Sequence, residues 1–153
     1  MYRLFDTLTA VYKYKKLYEK RCQGLMKKYD LRIADIDILF YISHSGEKNL
    51  AKDIADEGMS KANISKSVEH LHSMGYVELY EDKTDRRCVH IKPTEKAIPI
   101  ILEVEEVRRE MGNVLSDGIS AEDKEATYRV MQKLCENMSR ELAENGHEEE
   151  CSN

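Results

Sequence analysis

The chain has 153 residues, 41% of them hydrophobic, and a formal net charge of −5. That suffices for one compact core, and no apolar run approaches the roughly 20 residues a membrane-crossing helix needs. Two prolines and seven glycines argue against an all-β or low-complexity chain, and four cysteines without a Cys-x-x-Cys spacing argue against a disulfide framework or zinc ribbon.

The charge is unevenly placed. Residues 136–153 hold six acids (Glu136, Glu141, Glu144, Glu148, Glu149, Glu150) and one base, Arg140, so this end accounts for the whole imbalance and the rest is neutral. An acidic total therefore does not exclude a local basic patch able to meet a polyanion. Near the start, Lys and Arg interrupt every apolar stretch, so no signal peptide is expected and the predicted compartment is the cytoplasm.

Residues 2–29 read as one long helix. Leu4, Leu8, Val11, Tyr18, Cys22, Leu25 and Tyr29 recur at helical spacing, widened by Phe5, Tyr12 and Met26. Its eight bases and two acids lie mostly off that stripe, as on a solvated face. Leu31 to Ile42 is a second, more apolar helix, ended by Ser43-His44-Ser45-Gly46. Leu50 to Asp56 is a short third helix, and Gly58 turns the chain toward a fourth.

The fourth helix and the hairpin after it are the most informative stretch. Ser60 stands at an N-cap position; Ile64, Val68 and Leu71 share one face, while Lys61, Asn63, Ser65 and Lys66 fall elsewhere. Gly75 stops the helix. Tyr76–Tyr80 and Cys88–Lys92 alternate as two strands around seven polar residues that include Asp82-Lys83-Thr84-Asp85-Arg86-Arg87. A helix bearing Lys and Asn suits a major groove, where Asn pairs with adenine and Lys reaches guanine or phosphate. An arginine pair on a hairpin tip suits the adjacent minor groove. This predicts a winged helix-turn-helix and a DNA-binding regulator.

Pro93-Thr94-Glu95-Lys96 reads as the start of a fifth helix, with Ala97, Ile101, Val104, Met111 and Leu115 on one face and Ile100, Val107 and Val114 beside them. Pro99 predicts a kink there or a start delayed by one turn. Ser120-Ala121-Glu122-Asp123 resembles a capping box, with Asp in the third helical place, and opens a sixth helix carrying Val130, Met131, Leu134, Met138 and Leu142. The fold class expected is mainly α with a small β-hairpin. The organisation expected is a dimerisation helix at 1–29, the winged helix-turn-helix at 30–96, further dimerisation helices at 97–142 and an acidic, disordered tail at 143–153. The outer stripes are too long for a small domain to cover, so a second copy is the expected partner.

These features together resemble the MarR family, the multiple-antibiotic-resistance regulators. The likeness is carried by Leu31 with Ile38, Leu39 and Ile42, by the helix-turn-helix from Leu50 to Leu71, by Gly75-Tyr76-Val77, by the wing, and by the exit Pro93-Thr94-Glu95-Lys96-Ala97. It is close over about residues 30–97 and lies in layout alone outside them. It implies a homodimeric winged-helix transcription factor that binds double-stranded DNA at a pseudo-palindromic operator, represses, and lets go when an effector acts on the dimer. Carried over by position, Ser60, Lys61, Ala62, Asn63, Ser65 and Lys66 form the DNA face of the recognition helix. Arg87 is the minor-groove probe, Asp85 orients it, and Lys83 and Arg86 touch phosphate. The chain departs from the family in a turn one residue shorter at Ile54–Ser60, in Thr84 where many members carry arginine, in Ala97 for a frequent Gly, and in Arg32 for a frequent Thr.

Other chemistries have weaker support. His70 and His72, two apart on a helix, point in different directions, and the fifth helix offers no histidine, so no metal site is expected. Cys22 sits on the apolar stripe as a small core residue, while Cys88 beside Arg86 and Arg87 is the better-placed thiol. There is no Gly-rich phosphate loop and no Gly-x-Ser-x-Gly, so neither an enzyme nor a cofactor is expected. Tyr12, Tyr14, Tyr18, Tyr29 and Tyr41 offer a cleft between the first two helices for an aromatic effector, or simply core. Two alternatives stand beside the regulator: a winged-helix protein–protein adaptor, and an effector-binding protein without specific DNA binding.

Overall fold

The computed structural model describes residues 4–46, 49–82, 85 and 88–150, with backbone alone at 4–7 and 144–150. The chain divides into two compact units, Met1–Met111 and Gly112–Asn153.

In the first unit, α1 (Leu4–Tyr29) is followed by α2 (Ile33–His44), α3 (Ala51–Asp56), α4 (Lys61–Ser73), β1 (Val77–Glu81), β2 (Val89–Pro93) and a 3-10 turn over Glu95–Ala97; α5 runs Ile98–Leu115. α2 is central because its sequence is apolar on nearly every side. It packs on α1, α4 and β2, with Ile36, Ile38 and Leu39 fully buried. Each such side chain contributes about 1.5–3 kcal/mol of burial free energy. Tyr18, Cys22 and Leu25 from α1, and Ile100, Ile101, Val104 and Met111 from α5, complete this core. The stripes of both flanking helices thus contribute to this unit alongside residues 30–96. Further back on α1, Leu8, Val11 and Tyr12 are exposed.

Turn chemistry fixes the junctions. α1 ends where Asp30 takes φ +55°, a left-handed conformation that Asp tolerates better than most side chains, and Leu31 N–H donates back to the Met26 carbonyl at 3.0 Å. Arg32 then stands at the N-cap, so α2 begins at Ile33 and continues through His44, two residues later at each end than the sequence suggested. At the end of α4, Gly75 has φ +73°; its N–H reaches the His72 carbonyl and the Tyr76 N–H reaches that of Leu71, each at 2.9 Å. This is a Schellman motif, and the left-handed residue is glycine because a Cβ is strained there.

β1 and β2 form a two-stranded antiparallel sheet, in register from Val77 opposite Pro93 to Glu81 opposite Val89. Both strands lie one residue later than expected, since Tyr76 is used by the helix cap and Pro93, at the sheet end, completes β2 rather than opening a helix. Leu50 adds an isolated bridge to His90. The expected delay at Pro99 is present: α5 proper follows the 3-10 turn and takes Pro99 in its first turn, where a missing N–H removes no helical bond.

In the second unit, α6 spans Ala121–Glu150. Ser120 and Asp123 form the capping pair, with Asp123 N–H donating to Ser120 Oγ at 3.0 Å and that hydroxyl to Asp123 Oδ2 at 2.7 Å. The helix continues past Leu142 through residues expected to be a disordered tail. Tyr128, Val130, Met131, Met138 and Leu142 are exposed along it.

Candidate nucleic-acid interface

α4 separates its residues cleanly. Ile64, Ser67 and Leu71 are buried, whereas Ser60, Lys61, Ala62, Asn63, Ser65 and Lys66 are all exposed. Ser60 caps the helix by accepting from Asn63 N–H at 3.3 Å. No acid stands in the first turn, so the positive end of the helix dipole and Lys61 are unopposed within it. The six recognition-helix positions picked out from the sequence thus share one accessible region on its first two turns.

The wing is described only in part. Asp85 is exposed; its N–H donates to Asp82 Oδ1 at 3.1 Å and its carbonyl accepts from Cys88 N–H at 2.9 Å. Lys83, Thr84, Arg86 and Arg87 lie outside the described residues. At the base, His90 is stacked on Tyr80 and its two ring nitrogens face Asn49 Oδ1 and, at 2.9 Å, Asp82 Oδ2. Ile91 N–H also donates to the Asn49 carbonyl at 3.0 Å. The segment before α3 is thereby fastened to the hairpin.

Sequence reasoning missed a second cluster, beneath α4. Asp35, fully buried, accepts from Arg32 N–H at 2.8 Å, Arg32 Nε at 3.2 Å, Arg32 Nη2 at 2.9 Å and His70 Nδ1 at 2.9 Å. Arg32 Nη2 also donates to the Lys66 carbonyl at 3.1 Å and approaches Ser67 Oγ at 3.4 Å. Burial pushes the Asp35 carboxyl upward, but donation from Arg32, Ser67 and His70 outweighs it and holds the group below the ordinary carboxylate range. The available signal was a carboxylate three residues after Arg32 inside an otherwise mostly apolar run.

A third cluster ties α1, α2 and α5. Arg108 Nη2 donates to Tyr18 OH at 3.1 Å and Asp37 Oδ1 at 3.2 Å, and the guanidinium lies 3.8 Å from the Phe40 ring centroid. Burial raises the Asp37 carboxyl above its usual range and the Cys22 thiol above its own. The tyrosines considered for a cleft have separate environments: Tyr18 bonds to Arg108, Tyr29 donates to Glu103 at 2.6 Å, and Tyr12 and Tyr14 are exposed. Cys88 is half-buried, with Sγ 3.9 Å from Asp85 Oδ2. Among the described residues, no three His, Cys, Asp or Glu side chains converge as metal ligands, and no helix is long and apolar enough to cross a membrane.

A family model described as transcriptional regulator SarA/Rot matches residues 20–104, more than half of the chain. The chain belongs to this family. A MarR protein from Peptoclostridium difficile has the same fold at 19% identity, with a TM-score of 0.79 over 91% of each chain. The regulator SlyA gives a TM-score of 0.79 at 14% identity, covering 90% of this chain and 97% of SlyA. MepR of S. aureus, in its crystal structure with DNA, gives a TM-score of 0.70 at 17% identity, covering 89% of this chain and 99% of MepR. The chain is thus a transcriptional regulator of the SarA/Rot family with the winged-helix fold of MarR-type proteins.

Proposed function

We propose that this regulator binds a specific, pseudo-palindromic DNA operator as a homodimer and represses transcription until a small-molecule effector releases it. The observation that carries the DNA reading is α4: six polar or small residues exposed on its first two turns, above a buried face of Ile64, Ser67 and Leu71. In this reading α4 lies in the major groove. Asn63 pairs with adenine, Lys61 and Lys66 meet guanine or phosphate, and Ser60, Ala62 and Ser65 pack against the groove wall. Lys83 and Arg86 contact phosphate, and Arg87, oriented by Asp85, enters the minor groove.

The homodimer is supported by apolar surface on both units: Leu8, Val11 and Tyr12 on α1, and Val130, Met131, Met138 and Leu142 on α6. MepR, of the same fold, forms a complex with DNA, which supports DNA as the partner here. The resemblance to effector-released regulators extends the proposal to repression relieved by a ligand.

Fluorescence-anisotropy titration against the DNA upstream of its own gene tests the reading. Tight, salt-dependent binding to that DNA over an unrelated duplex is expected, and equal affinity for the two would remove the sequence-specific claim. Sedimentation equilibrium showing a stable folded monomer at micromolar concentration would remove the dimer.

A further inference from the structure

We infer that Arg32 is a further DNA-phosphate contact, held ready by the buried carboxylate of Asp35 and placed beside Lys66 of the recognition helix. The inference rests on the DNA-binding reading above. Arg32 belongs to α2's N-cap, outside the helix-turn-helix and the wing, yet its guanidinium is anchored to α4 through the Lys66 carbonyl at 3.1 Å.

The two members of this ion pair are unequal. The Asp35 side chain has no exposure, whereas that of Arg32 is 51% exposed. Nε and Nη2 form a two-pronged grip on the carboxylate at 3.2 and 2.9 Å. Among the described residues, the bonds of this guanidinium come from Nε and Nη2, which leaves Nη1 for an outside acceptor. Arginine has five N–H donors, so one edge can be fastened to protein while the other meets phosphate. Holding the long side chain in advance removes much of the ordering cost of that contact.

Arg32 and Lys66 line one concavity of about 620 Å³, together with Asp30, Glu69, His70 and Ser73. Its two acids balance its two permanent cations, so it has no net pull on a free anion. A phosphate delivered by DNA already docked on α4 is another matter. There Lys66 and Arg32 present adjacent donors at the edge of the groove that the helix occupies, and direction rather than net charge decides the contact.

The test uses the full chain in anisotropy titrations at several salt concentrations, against its upstream DNA and an unrelated duplex. Arg32→Gln should weaken both DNAs alike and flatten the slope of log K against log salt by about one per bound protomer. Arg32→Lys should restore the slope with affinity still below wild type, since an ammonium cannot grip Asp35 and phosphate together. An unchanged slope in folded Arg32→Gln overturns the inference even if affinity falls, because a displaced α4 would then account for the loss. So does Arg32→Lys with the same flattened slope. Arg32→Gln leaves Asp35 buried with fewer partners; if that variant does not fold, Arg32→Gln/Asp35→Asn carries the same measurement. Wild-type chain without salt-dependent binding to either duplex would overturn the DNA-binding reading itself, a separate result.

Discussion

Asp35→Asn should destabilise the protein by about 2–4 kcal/mol at neutral pH, and the difference should shrink in acid. The carboxylate accepts from Arg32 three times and from His70 once, at 2.8–3.2 Å. An amide keeps one oxygen and turns its nitrogen toward groups that also donate, so part of this set is lost. Hydrogen bonds to charged groups contribute about 1.5–3 kcal/mol each. The half-exposed Arg32 recovers some of that by returning to water, which keeps the total below the simple sum. Because the folded-state pKa of Asp35 is lowered, its contribution is complete above the unfolded value of about 3.9 and disappears as pH falls through the folded value. Urea unfolding of both proteins at pH 7 and at pH 3 reads this directly. A gap of the same size at the two pH values would show that Asp35 acts through packing and not as an anion.

Asn63→Ala should relax base preference, with about 1–3 kcal/mol of discrimination lost at one operator position, while Lys66→Ala should weaken all sequences alike; competition titrations with operator variants separate the two. Arg87→Ala should reduce operator affinity most on A·T-rich flanks, and Asp85→Ala should weaken binding even though it removes a negative charge. Tighter binding by Asp85→Ala at moderate salt would leave the wing as a plain phosphate clamp. Leu71→Ala should cost about 2–5 kcal/mol in thermal or urea unfolding, since Leu71 is fully buried between α4 and the core; a loss under 1 kcal/mol would mean that the site collapses freely.

The winged unit could be read from the sequence where local rules decide structure. Ser60 as a cap, Ile64 and Leu71 on one face, and Gly75 as a stop bound α4 correctly, and Ser120 with Asp123 located the start of α6. The displaced strand ends have a local cause too: the N–H of Tyr76 goes to Leu71, which no alternation pattern reveals. The clusters around Asp35 and Arg108 were not legible. Their partners are 35 residues apart in the pair Asp35–His70 and 71 in Asp37–Arg108, and periodicity carries no information about which distant helix a charge will face. Stripe length alone did not separate two uses of the outer helices: the same apolar row on α1 serves this unit's core at Tyr18 and Cys22 and lies open at Leu8 and Val11.

The join between α4 and the hairpin is bonded from its far side as well. Thr94, just beyond β2, donates from its hydroxyl to the Gly75 carbonyl at 2.8 Å and from its N–H to the Tyr76 carbonyl at 3.0 Å, and Lys96 Nζ reaches the Met74 carbonyl at 2.7 Å. The strand that leaves the wing thus returns to the hinge from which the wing departs, and helix and hairpin base become two arms of one caliper with a fixed opening. A caliper measures: in the proposed DNA complex its arms would meet adjacent grooves only where the intervening backbone has the matching width and twist. The shape of the duplex between two contacts would then be read without any side chain touching it.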